Sequence, residues 1–199
     1  MMAAIISIGY SCFKITEIID LLRSYRTEVL FDVRSTPYSK RFSYTNRENI
    51  EQELSSAGMK YVFIGDSFGG RSKDPNMYTD KVIDYTKVVS GEAYLQTKYK
   101  ILKLLENGVS ICLMCMEKDP IDCHRAIMIG RDFSKKGIIV HHIVEDGSTI
   151  SQRDLDERVI KRYFPVESTY FFFGGKEKTL DIAYKKRNIE IGFNVGQRR

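Results

Sequence analysis

The feature that most constrains this chain is a run without charge at residues 109–116, Val-Ser-Ile-Cys-Leu-Met-Cys-Met. A strand this apolar is buried on both faces, as happens inside a parallel sheet covered by helices. Shorter apolar runs at 3–8, 28–33, 60–64 and 138–144 read as four further strands. Amphipathic stretches separate them. Residues 14–25 carry Ile15, Ile18, Ile19, Leu21 and Leu22 at helical spacing, and Thr45 caps a helix over 46–57 that stops at Gly58. A long helical region breaks near Ser90-Gly91. Asp119-Pro120 starts a helix that ends at Lys135-Lys136-Gly137, and 152–163 is another. Strands alternating with helices predict right-handed crossovers and a Rossmann-like three-layer α/β/α fold with a mostly parallel sheet of about five strands.

The pattern weakens after Pro165, so the expected organisation is an α/β domain over 1–165 and a C-terminal extension over 166–199 packing on it. In that extension 170–173 is an aromatic run, read most simply as core with Met114 and Met116, and 179–189 is a terminal helix. With 43% apolar and 29% charged residues, the chain reads as globular and not disordered. No apolar run nears the ~18 residues that span a bilayer, and the first residues lack a basic leader, so a cytoplasmic protein with no membrane partner is expected. Lys and Arg exceed Asp and Glu by 31 to 26, a formal charge of +5. That mild excess permits an anionic small molecule or a nucleic acid as partner without demanding either, and it sets no oligomeric state. Cys12, Cys112, Cys115 and Cys123, in a chain with no secretory signal, read as reduced thiols.

Ligands of open parallel sheets bind beyond the carboxyl ends of the strands, near the point where strand order reverses. That rule gathers most of the unusual polar residues onto one rim: Gly9-Tyr10-Ser11, Asp32-Val33-Arg34-Ser35, Lys40-Arg41, Gly69-Gly70-Arg71, Cys115-Met116-Glu117 and Cys123-His124-Arg125. Asp32 and Arg34 are two apart on a strand and share a face, as do Cys115 and Glu117. Cys123-His124-Arg125 opens a helix, where backbone N–H groups favour anions and lower a thiol pKa. Arg34, Lys40, Arg41, Arg71 and Arg125 around one mouth suit a phosphate or carboxylate. Plainer readings stand beside these. Asp32 pairs with Arg34, Cys115 is a small core residue, His124 caps or packs, and Lys40-Arg41 is a solvated surface.

Cys112-x-x-Cys115 followed by Cys123-His124 superficially supplies four zinc ligands. In a strand, residues i and i+3 point to opposite faces, so that set is rejected and neither a metal nor another cofactor is expected. His141 and His142 alternate between surface and core.

These motifs together resemble the bacterial and archaeal family called domain of unknown function 488. The resemblance runs over roughly 5–144 and lies in Gly9-Tyr10, in Asp32-Val33-Arg34-Ser35-Thr36-Pro37-Tyr38-Ser39 with Lys40, Arg41 and Phe42 after it, and in Gly69-Gly70-Arg71. Its most specific part is Cys115-x-Glu117, Asp119-Pro120 and Cys123-His124-Arg125. It implies a Rossmann-like fold and an association with nucleotide or nucleic-acid processing, without naming a reaction.

Three functions follow in order of preference. The first is an enzyme acting on a nucleotide-like, phosphorylated or nucleic-acid substrate. In it Asp32 or Glu117 is the acid or base, Arg34, Arg71 and Arg125 hold phosphate, and Gly9, Gly69 and Gly70 admit the backbone closely. The second is a non-catalytic anion, nucleotide or nucleic-acid binding module, in which Tyr38, Phe42 and Tyr44 stack on bases. The third is a thiol enzyme built on Cys123 and His124, with Cys115 resolving or also reactive.

Overall fold

The protein is described by a computed structural model over residues 4–196; Ala3 of the first predicted strand and the basic tail Arg198-Arg199 lie outside the described residues. Strands β1 (Ile5–Gly9), β2 (Val29–Asp32) and β3 (Lys60–Phe63) alternate with helices α1 (Ile15–Ser24) and α2 (Arg47–Ser56). One helical turn, α3 (Gly65–Phe68), precedes a two-strand ribbon of β4 (Tyr78–Thr79) and β5 (Val82–Ile83). Helices α4 (Tyr85–Ser90) and α5 (Glu92–Glu106) then lead into β6 (Ile111–Cys115). A π-helical segment, Arg125–Gly130, runs into α6 (Arg131–Ser134), and β7 (Val140–Ile143), β8 (Thr149–Ser151), α7 (Gln152–Tyr163) and α8 (Lys176–Ile191) complete the order.

The fold is the expected three-layer α/β arrangement. Six strands, rather than five, form the sheet in the order β3-β2-β6-β1-β7-β8. All neighbours are parallel except β8, a three-residue antiparallel edge strand too short to show a period in the sequence. The uncharged run becomes β6, which sits between β1 and β2 with all five residues buried. Its side chains divide strictly between the layers. Ile111, Leu113 and Cys115 join the core under α4–α8, whereas Cys112 and Met114 join the core under α1 and α2. Cys112 and Cys115 therefore do face opposite ways. The chain moves outward from β1 to β2 and β3, returns through β6, and leaves on the other side through β7, so strand order reverses beside β6.

Several local expectations are corrected. Asn46 holds the cap position of α2, and Thr45 instead closes the preceding turn by donating to the Phe42 carbonyl at 2.8 Å. Asp119-Pro120 opens only a single turn, Pro120–Asp122, and the helix proper starts after Cys123. Tyr170 is buried, but Phe171 and Phe172 are 84% and 82% exposed and are not core. Met116 is also exposed, because the chain has passed the sheet edge there.

The extension returns to the rim. Helix α8 packs on α7, and the segment after it extends the β4–β5 ribbon: Ile83 N donates to Phe193 O at 2.9 Å and Val195 N to Lys81 O at 3.0 Å. Phe193 is thereby carried back to the carboxyl ends of the strands.

Candidate active site at the carboxyl rim

A cleft of about 400 Å³ opens beyond the ends of β1, β2 and β6. Tyr10, Arg34, Ser35, Gly70, Arg71, Cys115, Glu117 and His124 all line it. Gly9, Ser11, Asp32, Lys40, Arg41, Gly69, Cys123 and Arg125 do not. The sequence rule thus brings eight of the sixteen candidates to one cavity and leaves the rest as supports or bystanders.

Asp32 is a support. It is wholly buried and accepts from Arg34 Nε at 2.9 Å, Arg34 Nη2 at 2.5 Å and Tyr61 Oη at 2.7 Å. Burial works against the Arg34 charge, yet the bonds to Asp32 outweigh it and raise the guanidinium pKa. Arg34 spends its remaining donors on Tyr10 Oη, Thr45 Oγ1 and the Thr45 carbonyl, and its guanidinium lies 5.0 Å from the Tyr10 ring centre. Every donor of that fork is engaged inside the protein. Arg34 shapes the cleft wall and pins the β2 loop to the α2 loop; it offers no fork to a ligand.

Across the cleft, β6 delivers Cys115 and the following turn delivers Glu117. Oε2 of Glu117 lies 3.1 Å from Cys115 Sγ and 3.0 Å from Cys123 Sγ. Cys115 Sγ is also 3.8 Å from His124 Nδ1, and His124 Nε2 is 2.9 Å from the Val33 carbonyl. An imidazole facing a carbonyl donates to it, so Nε2 carries the proton and Nδ1 turns its lone pair to the thiols. Glu117 is pushed up to about 7 by burial and by the adjacent Cys123. Burial opposes the Cys123 thiolate, but the hydrogen bond from Cys115, the Arg125 charge and His124 together lower that thiol. Cys115 is raised as its partner. His124 is raised despite burial, through Cys123 and Glu117.

Arg125 points inward and is fully buried. Its Nη1 donates to the Glu117 carbonyl at 2.5 Å, Nη2 to the Lys118 carbonyl at 3.3 Å and Nε to Ser7 Oγ at 3.2 Å. None of these partners is charged. Ser7 continues to His142 Nδ1 at 2.7 Å, and His142 Nε2 lies 2.8 Å from Gln152 Oε1, so a buried polar chain ties the 117–118 turn to α7. Gly9 permits that turn to close, since a Cβ there would stand 1.8 Å from the Glu117 carbonyl. Gly69 is equally confined, with Ser35 Oγ 2.4 Å from where its Cβ would be.

Of the basic residues read around the mouth, Arg71 is the one whose guanidinium reaches the cleft uncommitted to an acid. It lies 4.5 Å from the Phe193 ring centre, while its backbone N–H donates to Ser35 Oγ at 2.9 Å. Lys40 and Arg41 are solvent-exposed outside the cavity, as their plainer reading had it. Phe42 packs edge-on against Tyr10 and Tyr44 bonds the Phe13 carbonyl, so of the three proposed stacking rings only Tyr38 stands open at the cleft, 63% exposed. Tyr85, Ile191 and Phe193 also line the cleft and belong to no motif in the sequence. Phe193 stands more than a hundred residues from Arg71, whose guanidinium faces its ring, and no local pattern marks it.

A protein-family model described as "Domain of unknown function DUF488" matches residues 14–131, more than half of the chain. The chain belongs to the DUF488 family. That match takes in β2, β6, the Gly69-Gly70-Arg71 loop and the Cys123-His124-Arg125 segment; it is narrower than the 5–144 read from the sequence and omits β1 and everything after α6's first residue. Comparison with curated proteins and with solved structures finds no match. Within DUF488 the geometry above, and not a named relative, has to carry the chemistry.

Proposed function

We propose that this DUF488 protein is an enzyme acting on an anionic, phosphorylated or nucleotide-like substrate, with Glu117 as its acid or base. One observation carries the reading. Of the two carboxylates lining the cleft, Asp122 is paired with Arg187, whereas Glu117 has only the thiols of Cys115 and Cys123 on its carboxylate oxygens. A half-buried carboxylate without a cation, at the wall of a cavity of ligand size, suits proton transfer better than stability. Arg71 at the mouth supplies a fork for the anion, and Tyr38 and Phe193 offer faces for a ring. Asp32 takes no direct part in this reading; it positions Arg34.

The test is thermal unfolding of the full chain against phosphate, sulfate, nucleosides, mono- and dinucleotides, and short DNA and RNA. A small ligand at 100 times its Kd stabilises by about 2.7 kcal/mol. The expected result is a shift with phosphorylated small molecules that falls about tenfold in affinity in Arg71→Ala. Glu117→Gln is expected to keep the shift and lose turnover. Shifts confined to oligomers and fading with salt would replace the enzyme by a nucleic-acid module. No shift with any member of the panel would sink the reading.

A further inference from the structure

We propose that Cys115, Cys123 and His124 bind a divalent transition-metal ion, zinc by the chemistry of the donor set, at the inner wall of the cleft. The two sulfurs and the imidazole nitrogen all lie within 4.8 Å of one another, and among the described residues this is the one such group of three or more His, Cys, Asp or Glu side chains. Donors at about 2.3 Å (sulfur) and ~2.0 Å (nitrogen) from a tetrahedral zinc stand roughly 3.3–3.8 Å apart. The Cys115 Sγ to His124 Nδ1 separation is 3.8 Å, at the upper end of that range, and Cys123 Sγ lies within 4.8 Å of both, so ligation asks an inward shift of at most about 1 Å from the third donor.

Three further observations point the same way. The His124 ring is already oriented as a ligand: its Nε2 is held by the Val33 carbonyl, and Nδ1 faces the sulfurs. Charge also closes. Two thiolates neutralise a dication, and the Glu117 carboxylate then balances the Arg125 guanidinium, a fully buried cation whose hydrogen-bond partners are all uncharged. Access is provided by the cleft, which Cys115, Glu117 and His124 line. The donor set differs from the one rejected on strand geometry, since Cys112 belongs to the opposite core layer and takes no part.

Three protein ligands leave a fourth position open, which is the arrangement of catalytic rather than structural zinc. The inference deepens the reading of Glu117, on which its chemistry rests. Held by Cys115, Cys123 and His124, the ion would supply an activated water as nucleophile, and the Glu117 carboxylate beside it would take that water's proton and return it to the departing group. Zinc deaminases use the same division of labour, with a His/Cys/Cys-bound ion and a carboxylate that is not a ligand.

The experiment uses the full chain, reduced and stripped with a chelator, titrated with Zn²⁺ and separately with Co²⁺. One equivalent of zinc is expected by elemental analysis. Cobalt is expected to show a thiolate-to-metal charge-transfer band in the near ultraviolet and the visible bands of a tetrahedral ion. That spectrum comes from the unaltered protein, so it does not depend on any variant folding. Cys123→Ser and His124→Ala are expected to lose the stoichiometric binding, and Cys112→Ser to retain it. Absence of binding, cobalt bound without the charge-transfer band, or full binding in Cys123→Ser would each overturn the proposal. Absence of metal with the nucleotide-induced thermal shift intact removes this inference and leaves the functional reading standing; metal without any ligand shift does the reverse.

Discussion

The two walls of the cleft are built from similar residues and satisfied in opposite ways. On the β2 side, a carboxylate, a guanidinium, two tyrosines and a threonine close on one another until every donor of Arg34 is used. On the β6 side, a carboxylate, two thiols and an imidazole face one another across weak sulfur contacts, and the nearby guanidinium bonds only uncharged groups. A buried pair that is complete resists change; a buried cluster that is incomplete has capacity for something else. The difference separates a closed wall from the candidate site more sharply than residue type does, because each wall offers a carboxylate and a guanidinium close in sequence.

Breaking the complete wall gives the largest effect. Arg34→Ala leaves Asp32 buried with Tyr61 and the residue-34 backbone N–H but no cation, and is expected to cost about 3–5 kcal/mol in denaturant unfolding. Loss under about 1 kcal/mol would erase the contrast between the walls. Gly9→Ala comes next, because its new Cβ meets backbone and not a flexible side chain. A cost of about 1–3 kcal/mol is expected, with displacement of the 117–118 turn visible as a loss of the phosphorylated-ligand thermal shift.

His142 gives a pH prediction. Burial, then the Arg125 charge, pushes its pKa down to about 3, while Gln152 and the more distant Cys123 pull weakly the other way and Ser7 bonds its second nitrogen. The unfolded chain takes up a proton near 6.5, and the folded chain declines it until pH 3. Stability contributed by the neutral ring is therefore full above 6.5 and falls as pH drops, by about 1.4 kcal/mol between pH 8 and 5.5. The difference between the wild-type and His142→Gln stability curves over that interval measures it; parallel curves would show that the ring does not titrate as described. Smallest is Glu117→Gln, expected to change stability by under about 1 kcal/mol, since no ion pair is lost. A cost like that of Arg34→Ala would make the β6 wall a scaffold as well.

Much of this was legible beforehand, for identifiable reasons. An uncharged run such as 109–116 has one stable environment, and strand alternation alone separates Cys112 from Cys115. The rim rule brings Glu117, His124 and Arg71 to one cleft because it needs only the ends of strands. Side-chain direction after those ends was harder. The rim rule makes Arg125 a phosphate ligand, but the π-helical segment it begins changes the phase of the helix, and the side chain enters the core. Asp32 was read as an acid or base because its third partner, Tyr61, comes from β3, and register is invisible in a single strand. The two-residue strands β4 and β5 and the arrival of Phe193 depend on contacts too distant in sequence to leave a periodic trace.

That last contact makes the cleft depend on a segment far along the chain from its other walls. The thiols and the Asp32–Arg34 wall stand on segments that precede β7, yet the cleft lacks a side without Ile191 and Phe193. A chain cut after Glu190 would keep the Asn188 bonds to Tyr85 and Ile83 and lack a closed pocket. The depth of the cleft is thus only as durable as the ribbon contacts of Ile83 and Lys81, and local fraying there opens the pocket while the sheet stays folded.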